Sequence, residues 1–260
     1  MQHVASKDGT RIAYEQLGQG PALVLVGGVL GDHMQQAGLA HLLSEHFTVY
    51  NLDRRGHGES GDTPPYAVER EVEDLAALLD VAGGSAFVYG TSGPGVLTME
   101  AAARGLSVRM KKLAVWEPPY ILDDSRPPIP QNYKEQLIQM LHEGRRGDMV
   151  EFFFTQAVGM PADIVAMMRQ APFWAAQEAF APLLINYATQ MGDFKVPKER
   201  IARATVETLI MDGGTVPWIS HAAEVVAKTL PNARRYTIAG QPHNVADEAM
   251  APILVKFFQS

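Results

Sequence analysis

The chain has no cysteine. That excludes disulfides, a thiol nucleophile and thiolate metal sites, and leaves the compartment open. A basic block is missing too: 22 Lys and Arg stand against 29 Asp and Glu, for a net charge of −7. Nucleic acid is therefore not an expected partner. No stretch approaches ~18 uninterrupted apolar residues, so no membrane span is expected. The opening Met1-Gln2-His3-Val4-Ala5-Ser6-Lys7-Asp8-Gly9 holds no charged segment followed by an apolar run. No signal peptide is visible there, and the cytoplasm is the default location. Phosphate loop, dinucleotide fingerprint and metal-ligand spacing are all missing, so neither cofactor nor metal is expected. The short clusters Ser60-Gly61-Asp62 and Asp123-Asp124 read as solvent-facing turns.

What is there is ordinary for a globular protein: 260 residues, 47% hydrophobic and 20% charged. That is enough for one large α/β domain, or for a core domain carrying an insertion. Asp8-Gly9 is a good hairpin turn between strands at 3–7 and 11–17. Continuous apolar runs at 22–26 and 47–52 suit central parallel strands. Residues 68–82 form an amphipathic helix with Leu75, Leu78 and Leu79 on its apolar face. A strand at 85–89, a helix at 95–105 and a strand at 113–116 follow. The alternation then stops, and from about 118 to 204 the pattern is mostly helical. It resumes with a strand at 206–211, a helix at 221–230, a strand at 235–238 and a helix at 245–258. Strands separated by helices imply a parallel sheet covered on both faces. The interruption implies a helical cap. The expected division is a core over 1–121, a cap over 122–203 and the rest of the core over 204–260.

The most informative run is Phe87-Val88-Tyr89-Gly90-Thr91-Ser92-Gly93-Pro94-Gly95. An apolar strand ends in a tight turn and opens straight into a helix. A serine on that bend has its hydroxyl pushed out above the sheet, with a helix N-terminus behind it, which is the geometry of a nucleophile elbow. Pro94 suits a first helical turn, and the N–H of Gly93 is left free to donate. The usual fifth glycine of Gly-x-Ser-x-Gly is Pro94 here, with Gly95 one step later. Gly-x-Ser also occurs in plain loops, where the serine is a helix N-cap.

Further motifs come in order: Val26-Gly27-Gly28-Val29-Leu30-Gly31, then Asp53-Arg54-Arg55-Gly56-His57-Gly58-Glu59-Ser60, the elbow, and a late Gly240-Gln241-Pro242-His243-Asn244. With the opening hairpin and the cap, they make the chain resemble the α/β-hydrolase superfamily over nearly its whole length. It is similar to the esterase and lactonase members whose acid follows the sixth strand. The resemblance implies a mostly parallel eight-stranded sheet with helices on both faces and a helical cap insertion. It also implies a catalytic set in the order nucleophile, acid, base.

A serine needs an imidazole in reach to take its proton. Of eight histidines, His243 has the place the family uses, in the loop between the last strand and the last helix. His33, near the turn after the third strand, is its rival. His57 belongs to a loop that the family uses to shape the floor of the site. His3, His41, His46, His142 and His221 read as surface or packing residues. The family most often keeps its acid in the loop after the seventh strand, where this chain has Thr215 and Val216. Asp212 lies too early, at the strand end. Glu117, after Leu113-Ala114-Val115-Trp116 and before two prolines, is the better candidate. A carboxylate there could accept the Nδ1–H of His243 and stabilise the imidazolium. Strand-end acids of this kind resemble those of some haloalkane dehalogenases and of zearalenone-type lactonases. A structural ion pair is the plain alternative for Glu117; Asp212 and Asp123 are the fallback acids.

Two N–H donors must converge on a developing oxyanion. Gly93 supplies one, and matching Gly27-Gly28-Val29 to the family's His-Gly-x turn puts the other at Val29. The pocket residues expected are Gly28, Leu30, Trp116, Phe154, Trp174 and Trp218. The cap's many aromatic and methionine side chains are core by default, but some must face the gap and make it apolar. Arg126, Arg145 and Arg146 read as water-facing. The expected activity is a cofactor-independent serine hydrolase acting on a small apolar carboxylic ester or lactone through an acyl-enzyme. A C–C bond hydrolase, a lyase using the same serine, and a small-ligand binder remain open. Relatives that attack with aspartate are excluded by the serine at 92. A homodimer is one open assembly.

Overall fold

The hairpin at Asp8-Gly9 forms as its turn chemistry predicts, with the Thr10 N–H donating to Asp8 Oδ1 at 2.9 Å. It joins β1 (Gln2–Ala5) and β2 (Arg11–Leu17), which pair antiparallel from Gln2 opposite Tyr14 to Ala5 opposite Arg11. The structure is a computed structural model describing residues 1–122, 124 and 126–260. The remaining strands are β3 (Ala22–Val26), β4 (Thr48–Leu52), β5 (Ala86–Thr91), β6 (Met110–Trp116), β7 (Thr208–Asp212) and β8 (Ala233–Thr237). They form one eight-stranded sheet in the order β1-β2-β4-β3-β5-β6-β7-β8, parallel from β4 onward. This is the α/β-hydrolase sheet.

The apolar strand runs are buried on both sides because helices cover both faces. Alternate side chains go to opposite faces, as a period of two requires. Val24, Val88, Leu113 and Val115 join one core with α2 (Val68–Val81), α3 (Ser92–Ala103) and α10 (Pro217–Thr229). Leu25, Tyr89, Ala114, Trp116 and Met211 join the other with α1 (Ala37–Leu43) and α11 (Asp247–Gln259). Trp116 is fully buried in that second core. It is therefore not a pocket wall, contrary to expectation, because its place in the β6 alternation turns it away from the first face.

Between β6 and β7 the structure describes α4 (Tyr133–His142), α5 (Arg146–Phe152), α6 (Ala162–Met168), α7 (Trp174–Phe180), α8 (Leu184–Met191) and α9 (Lys198–Ile201). A π-helical stretch, Phe153–Val158, follows α5. No helix among the described residues is long and apolar enough to cross a membrane.

The crossovers set the site. From β3 the chain passes to β4 on one side, and from β4 it returns to β5 on the other, so β3 has β4 and β5 as its two neighbours. Loops leaving the carboxyl ends of β3 and β5 therefore diverge, and ligands of open α/β sheets bind in such a crevice. Gly27 and Gly28 follow β3, and Ser92 follows β5.

Candidate active site

Ser92 is the first residue of α3, with Thr91 as N-cap. The helix starts three residues earlier than the sequence pattern suggests, since Pro94 fits its first turn. Ser92 adopts φ 56°, a conformation that costs a non-glycine residue about 1–3 kcal/mol and needs its surroundings to enforce it. The surroundings do so: a Cβ on Gly90 would lie 2.7 Å from Gly95 Cα, so strand and helix meet with no room for side chains. The positive end of α3 lies directly behind the hydroxyl.

Glu117 is the second strained residue, at φ 45° and 1% exposed. Its N–H still pairs with Met211 O at 2.8 Å, so β6 runs on beside β7 until the turn. Both carboxylate oxygens are engaged. Oε1 accepts the N–H of Gly213 at 3.0 Å, and Oε2 lies 2.7 Å from His243 Nδ1. The loop carrying His243 is held against the end of β7. The N–H of Gly240 donates to Gly213 O at 2.9 Å, and a Cβ on Gly213 would lie 1.8 Å from Gln241 O. Only glycine allows that approach. Trp116, displaced from its expected role, donates Nε1–H to His243 O at 2.8 Å. With Nδ1 directed to the carboxylate, Nε2 of His243 is left to exchange a proton. Of the two hydrogen bonds that a serine–imidazole–carboxylate relay needs, the structure contains the imidazole–carboxylate one. Among the described residues the Ser92 hydroxyl has no partner; such bonds commonly tighten only with substrate.

Asp212, the fallback acid, serves elsewhere. Its carboxylate takes Arg235 Nε at 2.7 Å and Nη2 at 3.0 Å, Ser220 Oγ at 2.8 Å and the N–H of Gly214 at 3.0 Å. Burial alone would raise its pKa, but the hydrogen bonds from Arg235 and Ser220 outweigh it and hold the group low. Asp123 lies outside the described residues. His33 has an acid of its own: Nδ1 is 2.8 Å from Asp53 Oδ1. Asp53 also accepts the N–H groups of His33 and Glu59, which fixes the loop after β4. Asp32, His33 and Asp53 could together offer ligand atoms to a metal, but Asp53 is already committed to these donors.

The turn after β3 reaches the elbow, since a Cβ on Gly93 would lie 3.5 Å from Val29 Cγ2. Gly28 and Leu30 beside it are buried. His57 is buried, stacks on Phe180 with centroids 5.6 Å apart, and turns Nε2 to Val29 O at 3.2 Å. Burial, then the nearby Arg54 charge, push its pKa below 6.5. Phe154 is half-buried between Phe153 and Trp174, while Trp174 is buried in the core of the helical insertion. Trp218 is half-buried under the Arg126 guanidinium, 4.8 Å from its ring. Arg126 is thus not simply water-facing: Nη1 donates to Ala157 O at 2.8 Å and Nη2 to Gln156 O, closing the end of the π-helical stretch. Arg145 is exposed and pairs with Glu143 and Asp148.

Three residues near the elbow were not anticipated, the buried Arg54, Glu71 and Gln190; Tyr187, whose ring packs on Gly93, is one of the insertion's aromatic side chains, some of which were expected to face the gap. Arg54 lies in a motif, but nothing in the sequence links it to Gln190, 136 residues away. Two cavities, of about 390 and 670 Å³, open along residues 188–197; neither is lined by Ser92, Glu117 or His243.

The fold has counterparts among known proteins. The chain belongs to the alpha/beta hydrolase family, whose model matches residues 23–252. It is similar to an alpha/beta hydrolase from Sphaerobacter thermophilus DSM 20745, with 54% identity, 99% of this chain and 100% of that one covered, and a TM-score of 0.94. A thermophilic esterase from Thermogutta terrifontis, solved with malate bound, shares the fold at 21% identity and a TM-score of 0.76, covering 99% and 97% of the two chains. A curated relative, an uncharacterized hydrolase of Bacillus subtilis (strain 168), is 33% identical over 100 residues, and the match spans 37% of each chain.

Proposed function

We propose that this protein is a cofactor-independent serine hydrolase that cleaves a carboxylic ester or lactone. The observation that carries the reading is the pairing of a strained serine at a helix N-terminus with an imidazole ordered by a buried carboxylate at 2.7 Å. Those are the parts of an activated nucleophile. Ser92 Oγ attacks the carbonyl carbon, and its proton passes to His243 Nε2. The carbonyl π pair moves to oxygen, giving an oxyanion that accepts the N–H groups of Gly93 and Val29. Collapse breaks the bond to the leaving oxygen, which takes the proton from His243. Water then attacks the acyl-enzyme, giving its proton to His243, and Ser92 leaves with that proton restored. In a lactone the alcohol stays tethered to the acid. Glu117 keeps its hydrogen bond to Nδ1 of His243 and steadies the imidazolium.

Residues 122–203 act as a cap over this crevice. Phe154, Trp218 and Leu30 favour an apolar acyl or ring group. The test is intact mass after incubation with a fluorophosphonate, on wild type and Ser92→Ala, followed by product analysis on an ester and lactone panel. One adduct on wild type, none on Ser92→Ala, and release of acid and alcohol are expected. A wild type that takes no label, under conditions that label a known serine hydrolase, contradicts the reading.

A further inference from the structure

The buried cation Arg54 has no part in the relay, yet it reaches both proposed oxyanion donors, Val29 through Gly28 O and Gly93 through Gln190. Its Nε and Nη2 each lie 2.7 Å from a Glu71 oxygen, a two-pronged pair with both side chains 3% exposed. Tyr66 adds its hydroxyl to Glu71 at 2.7 Å. The fork has further hydrogens to give. Nη1 donates to Gly28 O at 3.2 Å, and Nη2 donates to Gln190 Oε1 at 3.2 Å. Gln190 in turn donates Nε2–H to Gly93 O at 2.6 Å.

Those two carbonyls are not arbitrary. In a trans peptide the C=O and the following N–H point in opposite directions. Pinning Gly28 O on Arg54 therefore aims the Val29 N–H away from Arg54. The next carbonyl, Val29 O, faces His57 Nε2, so the peptides on both sides of Val29 are held from the same loop. A carbonyl that accepts from a cation also polarises its own peptide, and makes the N–H at the other end a stronger donor. On the other side, Gly93 O leads into Pro94, and Gln190 fixes that peptide. Tyr187, three residues before Gln190 on α8 and so on the same helix face, packs where a Gly93 Cβ would be, 2.4 Å from Cε2. Gly93 is thereby clamped between its own helix and α8.

We propose that Arg54 and Gln190 form a latch that orients both oxyanion donors and ties them to α8 of the helical insertion. Glu71 holds the latch in place. This makes Arg54 and Gln190 positioning residues: they touch no reacting atom and act through the amides of Val29 and Gly93. The latch also links the insertion to the chemistry, so α8 must be seated for the hole to be complete. The inference rests on the serine-hydrolase reading and on Val29 and Gly93 as donors.

The test uses Gln190→Met, which keeps the length and helix preference of the side chain and removes both of its hydrogen bonds. Arg54→Lys is the second variant, since it keeps the charge beside Glu71 and loses the fork. Steady-state kinetics on an ester that wild type hydrolyses are compared with the inhibition constant of a trifluoromethyl ketone, which forms a tetrahedral oxyanion on the serine. Both variants should lower kcat by about 10- to 100-fold, weaken the ketone by a similar factor and leave KM nearly unchanged. Glutamine restored at position 190 in the methionine variant recovers both. A variant with wild-type kcat overturns the latch, as does one whose KM rises while kcat and ketone affinity hold. Failure of wild type itself to hydrolyse esters or to bind the ketone would strike the serine-hydrolase reading instead, and the latch would fall with it.

Discussion

Two carboxylates end neighbouring parallel strands, and they do different work. Glu117 closes β6 and Asp212 closes β7, one strand apart. Both are buried, at 1% and 0% exposure. Asp212 keeps extended backbone and meets the guanidinium of Arg235, from the next strand, as a two-pronged ion pair. Glu117 turns to φ 45° and meets an imidazole brought by a loop. What separates them is not burial or strand position but which partner the neighbouring chain delivers. Arg235 lies two strand positions before Thr237, the residue opposite Asp212, and satisfies Asp212 within the sheet. The close contact of Gly213 with Gln241 swings His243 past Asp212 to Glu117. A strand-end acid is thus paired with an imidazole or with a guanidinium according to what the neighbouring chain lays across it.

The comparison breaks most sharply at Glu117. Glu117→Gln keeps shape and volume, removes the charge and presents an amide that can hold the wrong imidazole tautomer. We expect kcat to fall about 10³- to 10⁴-fold, with the folded structure kept by circular dichroism. Asp212→Asn should do the reverse. It leaves Arg235 facing a neutral amide across a mostly buried pair and should cost about 2–3 kcal/mol of stability. For a chain of this size that is roughly 5–10 °C in Tm, read by calorimetry, with kcat near wild type. Trp116→Phe keeps the core filled and removes the hydrogen bond to His243 O. A bond worth about 1 kcal/mol, expressed fully in the transition state, is about fivefold in kcat.

The smallest effect is in the pH dependence of stability. Asp212 is held below 3.8 in the folded protein, so its contribution is complete above that value and is lost as pH falls through the folded pKa. His57 is held below 6.5, by burial first and Arg54 second. The same sign applies: the folded form resists the proton, and stability declines as pH drops below 6.5. Tm should therefore fall gently from pH 6.5 and more steeply near pH 3.8. Asp212→Asn should remove part of the steep segment and leave the gentle one.

Much of this was legible in the chain. The order of strands and helices, the elbow and the late histidine depend on local patterns, and local patterns are what a sequence displays. The nearness of Glu117 and His243 was expected from the resemblance, which places the loop of the late histidine over the carboxyl ends of the strands. The strain at Glu117, the contact of Gly213 with Gln241 and the partner of Asp212 depend on how loops from distant segments meet. Trp116 was misplaced for a related reason. Its nearness to the strand end suggested a pocket, while the side-chain alternation of β6, which decides its face, became clear only once the full strand from Met110 was defined. Gln190 left no signal at all, since a glutamine on an amphipathic helix looks like any solvated residue until the helix is docked.

The most direct test of the central claim is the rate of fluorophosphonate labelling, by intact mass, for wild type, Glu117→Gln and Asp212→Asn side by side. The account predicts single labelling at Ser92 in all three, slowed by about 10²-fold or more in Glu117→Gln and close to wild type in Asp212→Asn. Normal labelling of Glu117→Gln with slow labelling of a well-folded Asp212→Asn would contradict it and move the acid to β7.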